Sequence, residues 1–322
     1  MSRRWRAGIG LYMSVLLLGG LLAGGAWAAE VWVTNMKSAN VQVIDPASLK
    51  VVATIPTDQG AHNVTFSKDG KLAFIANVGA GNVTIIDAAQ KTALGNVPAG
   101  KGAHHVAVSP NGKMAVVSNP GSGDITIIDV PQKKAMHTMP TGNRAMMAVF
   151  SKDGKQAYVA NAADANVSVV DVKAQRITKT LPAGKGVMAF EPEPTKNRKR
   201  AWLTAPDEDK IIVLDIAKGE PVATITVPGE PHGLVMSPKG KTVYVVQRKL
   251  NQLAIIDVAS RSIAKTAAMG KRPDMLAISP DGNTLYLTSR DENKLLVVSA
   301  KDLKVTGEVP TGEEPHGVAY RK

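Results

Sequence analysis

A five-residue strand motif returns along this chain at an almost fixed step, and that repetition restricts what the chain can fold into. It reads Val31-Trp-Val-Thr-Asn35, then Ala73-Phe-Ile-Ala-Asn77, Ala115-Val-Val-Ser-Asn119 and Ala157-Tyr-Val-Ala-Asn161. It continues as Ala201-Trp-Leu-Thr-Ala205, Val243-Tyr-Val-Val-Gln247 and Leu285-Tyr-Leu-Thr-Ser289. The intervals are 42, 42, 42, 44, 42 and 42 residues. A second Val/Ile-rich run keeps the same step, from Val41-Gln-Val-Ile-Asp45 to Leu295-Leu-Val-Val-Ser299. β-Branched and aromatic residues fill both runs, while Gly, Asn, Asp and Pro lie between them, as expected of strands and turns. Tight turns such as Ser67-Lys-Asp-Gly70 and Ser279-Pro-Asp-Gly282 suit the positive φ of a hairpin.

Each repeat therefore predicts four antiparallel strands: one before the Ser-x-Asp-Gly turn (A), the motif strand (B), the Val/Ile-rich strand (C) and a last one (D). Seven such sheets bury their faces and shield their edges when packed radially, which predicts an all-β, seven-bladed β-propeller. The chain opens with a B strand at Val31 and ends with a lone A strand at Gly317-Val-Ala-Tyr320. Pairing of these terminal strands is expected to complete one blade and close the ring.

Residues 1–28 stand apart. Arg3, Arg4 and Arg6 precede an apolar run over 9–22, and Ala26-Trp-Ala28 supplies a small-x-small cleavage pattern, so residues 1–28 read as a cleaved signal peptide. The hydrophobic residues expected after a twin-arginine pair are missing, which favours general secretion. Removing 28 of 322 residues leaves 294, seven times forty-two, for one propeller domain over 29–322. The formal charge falls from +12 to +9 as three arginines leave. With no cysteine, disulfides, thiolate metal sites and thioether haem attachment are excluded. The expected product is a soluble monomer in the periplasm or outside the cell, with no membrane span after cleavage.

The repeat resembles the YVTN family of β-propeller repeats, and the exported single-propeller layout is similar to periplasmic YncE-like proteins. The resemblance covers residues 29–322 and implies the fold; function does not follow from a fold alone. Blades 5 to 7 depart from the pattern, replacing the final Asn of the B strand by Ala205, Gln247 and Ser289.

One position could carry chemistry. Five residues before the turn serine, where the chain enters strand A, the blades hold His232, Asp274, His316, His62, His104, Met146 and Met188 in ring order. The D-to-A connections surround one channel mouth and share that face with the B-to-C loops. Imidazole with thioether suits copper or haem iron; imidazole with carboxylate suits zinc, iron or nickel. The haem-binding propellers of nitrite reductases, which carry an axial His, add an analogy for haem. The competing reading is structural, each imidazole bonding the backbone of the neighbouring blade.

Other features weigh less. Asp45, Asp87, Asp129, Asp171, Asp215 and Asp257 end strand C in six repeats, which marks a turn rather than acid–base chemistry. The B-to-C loops of blades 5 to 7 are charged (Asp207-Glu-Asp209, Arg248-Lys249, Arg290-Asp-Glu292), suggesting either a partner face or ordinary solvated loops. Lys196, Arg198, Lys199 and Arg200 form a basic run on the opposite face, suited to weak, salt-sensitive polyanion binding. The aromatics occupy repeated strand positions and read as inter-blade core rather than base-stacking platforms.

Three functions remain from the residues. The first is a non-catalytic binding or scaffold propeller whose partner is a small ligand or a periplasmic protein. The second is a metal- or haem-binding protein (copper, zinc or haem at the His ring) serving a periplasmic redox system. The third is a lactonase- or lyase-like enzyme, a reading weakened by having one carboxylate, Asp274, in the ring.

Overall fold

The computed structural model describes residues 29–194 and 199–322. The expected signal peptide, with Lys196 and Arg198 of the basic run, therefore lies outside the described residues. Seven separate four-stranded antiparallel sheets follow one another along the chain. Each inner A strand touches the A strands of the blades on either side, including the pair that joins blade 7 to blade 1, so the ring is closed.

Closure is made by the terminal strands. In blade 1, strand A is Pro315–Arg321 and strand B is Glu30–Asn35; C is Asn40–Asp45 and D is Lys50–Pro56. The register pairs Glu30 with Arg321, Val31 with Tyr320 and Trp32 with Ala319.

The B strands lack the apolar–polar alternation of a half-exposed sheet because both of their faces are covered. In blade 1, Val31 and Val33 pack on Tyr286, Leu295 and Val297 of blade 7. Trp32, on the opposite face, packs with Ala61, Val64 and Ile75 of blade 2. The repeated polar residues serve the same architecture. Asn77 is fully buried at the end of strand B and donates to Asn82 Oδ1 at 2.8 Å and Thr84 Oγ1 at 2.9 Å, tying B to C. Asn119 and Asn161 do likewise in their blades.

Each of the six C-terminal aspartates of strand C accepts backbone N–H groups within its own turn, as in Asp45 with Ala47 and Asp257 with Ser260. These carboxylates are turn residues, as the sequence reading had them. No helix among the described residues is long and apolar enough to cross a membrane.

Candidate functional site

The inner strands are irregular where the site forms. In blade 2, Ala61 pairs with Asn77 and Asn63 with Ala76, leaving His62 as the extra residue of a β-bulge. Met146 is bulged in the same way in blade 4, and the pairing of blades 6, 7 and 1 breaks at His232, Asp274 and His316. A bulge re-aims side chains that strict alternation would send to the blade faces. Two consecutive residues of several A strands thereby reach the channel.

The imidazoles form a chain of inter-blade bonds. His316 Nδ1 donates to the His62 carbonyl (3.0 Å), His62 Nδ1 to the His104 carbonyl (3.1 Å), and His104 Nδ1 to the Met146 carbonyl (2.8 Å). A carbonyl only accepts, so in each ring Nδ1 carries the proton and Nε2 of the neutral imidazole keeps its lone pair. Two of these acceptors, and two further carbonyls of the ring, are themselves fixed. Thr34 Oγ1 donates to the His62 carbonyl at 2.9 Å, Ser118 Oγ to Met146 at 2.6 Å, Thr204 Oγ1 to His232 at 3.0 Å and Thr288 Oγ1 to His316 at 2.8 Å. These hydroxyls come from the fourth position of the five-residue motif in blades 1, 3, 5 and 7.

The rings also pack against one another at a tilt, with centroids 3.6 Å apart for His62 and His316 (32° between planes) and 4.0 Å for His62 and His104 (42°). Blade 1 approaches so closely that a Cβ on Gly317 would lie 2.6 Å from the His62 carbonyl oxygen. Burial lowers the imidazole pKa values, to about 4 for His104 and about 3 for His316, so both rings are neutral near pH 7.

On the other side of His316 lies a charged cluster. Asp274 is fully buried; its Oδ1 is 3.1 Å from His232 Nε2 and 3.5 Å from His316 Nε2. Arg248 Nη2 bonds the same oxygen, and Arg290 Nη1 lies 3.4 Å from Oδ2. The arginines also reach Glu230 (3.5 Å) and Glu314 (2.7 Å), respectively. Burial alone would raise the Asp274 carboxyl; His316, the His232 N–H and the Arg248 guanidinium together outweigh it and hold the group well below the usual carboxylate range. The Nε atoms of Arg248 and Arg290 and Nδ1 of His232 are buried without a hydrogen-bond partner.

A cavity of about 20 Å³, enough for one water, is walled in part by His62, His104, His232, His316 and Met188. Of the seven ring positions read from the sequence, the five His and Asp residues come together. Met146 does not line the cavity, and it is its carbonyl oxygen that receives His104. His62, His232 and His316 are buried together with Asp274, while His104 is half-buried. Lys199 and Arg200 lie exposed at the A-to-B turn of blade 5, away from this cluster.

Sequence reading missed Arg248 and Arg290, and placed their loops in solvent or against a partner. Both arginines turn inward, their side chains only 12% and 15% exposed. The signal was present: in blades 6 and 7 the final Asn of strand B gives way to Gln247 and Ser289, and single-turn 3-10 helices, Arg248–Leu250 and Arg290–Glu292, follow directly. His105, next to the repeated position in blade 3, also lines the cavity, as do Asn63, Met147 and Met275. These last three were missed because only the bulge brings the next residue of strand A to the channel.

The family described as “Lactonase, 7-bladed beta-propeller” matches residues 30–315. No curated protein matches the chain. Among solved structures, the periplasmic gluconolactonase of Pseudomonas aeruginosa is 18% identical with a TM-score of 0.78, covering 91% of this chain and 99% of its own. The Kuenenia stuttgartiensis hydrazine synthase is 18% identical with a TM-score of 0.74, covering 85% of this chain and 92% of its own. The dihydro-heme d1 dehydrogenase NirN, solved in complex with DHE, is 17% identical with a TM-score of 0.68, covering 90% of this chain and 74% of its own. At these identities the structural likeness is one of fold.

Proposed function

The chain belongs to the lactonase family of seven-bladed β-propellers, and from that premise we propose that it is a periplasmic, YVTN-type propeller that hydrolyses lactones. This reading was third in the sequence because the ring holds one carboxylate. The family match moves it ahead of a non-catalytic scaffold. The apolar N-terminal stretch before an Ala-x-Ala pattern and the likeness to a periplasmic lactonase support the location.

The observation that carries the reading is the fixed tautomer of the imidazoles around a one-water cavity. Lactone hydrolysis needs a base to take a proton from water as its oxygen attacks the ring carbonyl, and donors for the oxyanion that forms. His104 fits the base: it is partly exposed, it is neutral near pH 7, and its Nδ1 proton is committed to Met146, so Nε2 is available. The Nε–H groups of Arg248 and Arg290, buried without a partner beside Asp274, are the donors we assign to the oxyanion.

The test is proton release from five- and six-membered aldonolactones, measured against their spontaneous opening. The wild-type protein accelerates it and His104→Gln, with an unchanged melting temperature, loses most of the acceleration. A panel of such lactones opened no faster with the protein than without it would sink the proposal and return the chain to the scaffold reading.

A further inference from the structure

We propose that His232, Asp274 and His316 form a three-ligand site for a divalent first-row metal ion of the zinc type, for which Arg248 is the built-in competitor. The inference stands on the geometry of these three residues and is independent of lactone hydrolysis.

The argument begins with two acceptors that face each other. His316 Nδ1 spends its proton on the His62 carbonyl, so its Nε2 offers a lone pair. That lone pair lies 3.5 Å from Oδ1 of Asp274, an ionised carboxylate that can only accept. Both groups are buried, where an unrelieved contact between lone pairs is costly. A cation between them removes the conflict. His232 Nε2, which hydrogen-bonds the same oxygen at 3.1 Å, becomes the third ligand atom when its proton moves to the unpartnered Nδ1, and all three atoms lie within 4.8 Å of one another.

The two separations from Asp274 Oδ1, 3.1 and 3.5 Å, match a metal. Bonds of about 2.0–2.1 Å in a tetrahedral site place neighbouring ligand atoms roughly 3.4 Å apart. Two imidazoles with one carboxylate suit zinc or iron(II), whereas calcium and magnesium prefer all-oxygen sets. The surroundings fit as well. A metal-bound imidazole usually donates its other N–H to a carbonyl or carboxylate, and His316 does so to His62. That carbonyl is held in turn by Thr34. The one-water cavity walled by His232 and His316 offers the open fourth position of a catalytic-type site. Haem fits less well, because rings packed at 3.6 and 4.0 Å leave no porphyrin-sized gap between the imidazoles.

Arg248 is placed to oppose the ion. Its Nη2 bonds Asp274 Oδ1, the oxygen that a metal shared with both imidazoles would use. It has a second carboxylate within reach, Glu230, at 3.5 Å, which can retain the guanidinium when the metal takes Asp274. Replacing Arg248 by an uncharged residue should therefore tighten metal binding.

The experiment uses the full mature protein, stripped with chelator and titrated with Co²⁺ and then Zn²⁺, with no substrate present. We expect one equivalent of Co²⁺ with the visible bands of a tetrahedral ion, displaced by Zn²⁺ and accompanied by a rise in melting temperature. Arg248→Gln should bind roughly tenfold more tightly, and His232→Gln and His316→Gln should lose stoichiometric binding. The proposal falls if neither wild type nor Arg248→Gln binds one equivalent, a result that needs no histidine variant to fold. It also falls if binding survives both histidine changes, or if ¹⁵N shifts show His316 doubly protonated, a proton then filling the place of the metal. Aldonolactone hydrolysis measured on stripped and loaded protein separates the two proposals: metal binding without hydrolysis leaves this site standing, and hydrolysis without binding leaves only the lactonase.

Discussion

Arg321 Nη1 donates to Glu30 Oε2 at 2.7 Å, joining the penultimate residue of the chain to the first residue of its first strand. Arg321 is 3% exposed and also donates to the Gly70 and Ala88 carbonyls of blade 2. Glu30 accepts from Trp32 Nε1 at 2.9 Å and pairs with Lys91 at 2.8 Å. Burial works against ionisation of Glu30, yet Lys91, Trp32 and Arg321 together keep its pKa below the usual carboxylate value. One buried ion pair thus fastens both ends of the chain to the neighbouring blade. Removing one partner of a buried pair typically costs 3–5 kcal/mol. Because Lys91 still serves Glu30, Arg321→Ala should cost about 3 kcal/mol, read as a lowered midpoint in denaturant. A midpoint equal to wild type would show that the latch contributes nothing.

Deleting residues 315–322 removes the whole inner strand of blade 1 together with this latch. The B strand of that blade then loses one of its two partners, and blades 7 and 2 each lose the inner strand they pack against. Ring architectures depend on such contacts, so the truncated protein should lose most of its stability and unfold well below the wild-type melting temperature. Retention of the wild-type melting temperature would contradict closure by the terminal strand.

Thr34 Oγ1 donates to the His62 carbonyl and accepts from the Gly317 N–H at 2.8 Å, and both residues are buried. Thr34→Val keeps the shape but leaves that N–H without its acceptor. The loss should be about 2 kcal/mol, a net hydrogen bond plus part of the penalty for an unpaired buried donor. Ala76, at the same position of blade 2, has no hydroxyl, so Ala76→Val provides a size-increasing control without a lost bond. Chemical denaturation of Thr34→Val that matches wild type would remove the hydroxyl from the account of the site.

Burial depresses the imidazole pKa to about 4 in His104 and about 3 in His105, against 6.5 when unfolded. Below 6.5 the unfolded chain takes up protons that the native one does not. The stabilisation is therefore complete above pH 6.5 and is lost as the pH falls towards 4 for His104 and 3 for His105. Each ring contributes a slope of up to about 1.4 kcal/mol per pH unit in that window. Denaturation midpoints measured from pH 7 to 4.5 should fall steadily, and less steeply in the double variant His104→Gln/His105→Gln. A flat profile in wild type would mean that the rings are protonated in the native state.

Much of the fold was legible because each blade repeats the same local chemistry. Asn77 and Asp87 act within their own blade, on partners five and two residues away, so sequence spacing alone identifies their roles. Ring closure was readable from the strand order, since an unpaired A strand at the end complements a B strand without one at the start. The five His and Asp positions of the site were found for the same reason, each recurring at the step of the repeat. Arg248 and Arg290 were misplaced because a loop's polarity does not reveal its direction; the buried charge of Asp274, in the next blade or in the same one, draws both inward.

By itself, then, the sequence determined the blades. Turns, strand faces and the inter-strand bonds of Asn and Asp involve residues close in the chain, and seven copies of one pattern admit one radial solution. Only the tertiary structure decided what the channel contains. His316 and His62 are 254 residues apart in sequence, yet their rings pack together because closing the ring makes their blades adjacent. The carbonyls that fix their tautomers and the contest between Arg248 and the imidazoles for Asp274 arise between blades. No repeat can encode them alone, because each depends on the residue that its neighbour presents.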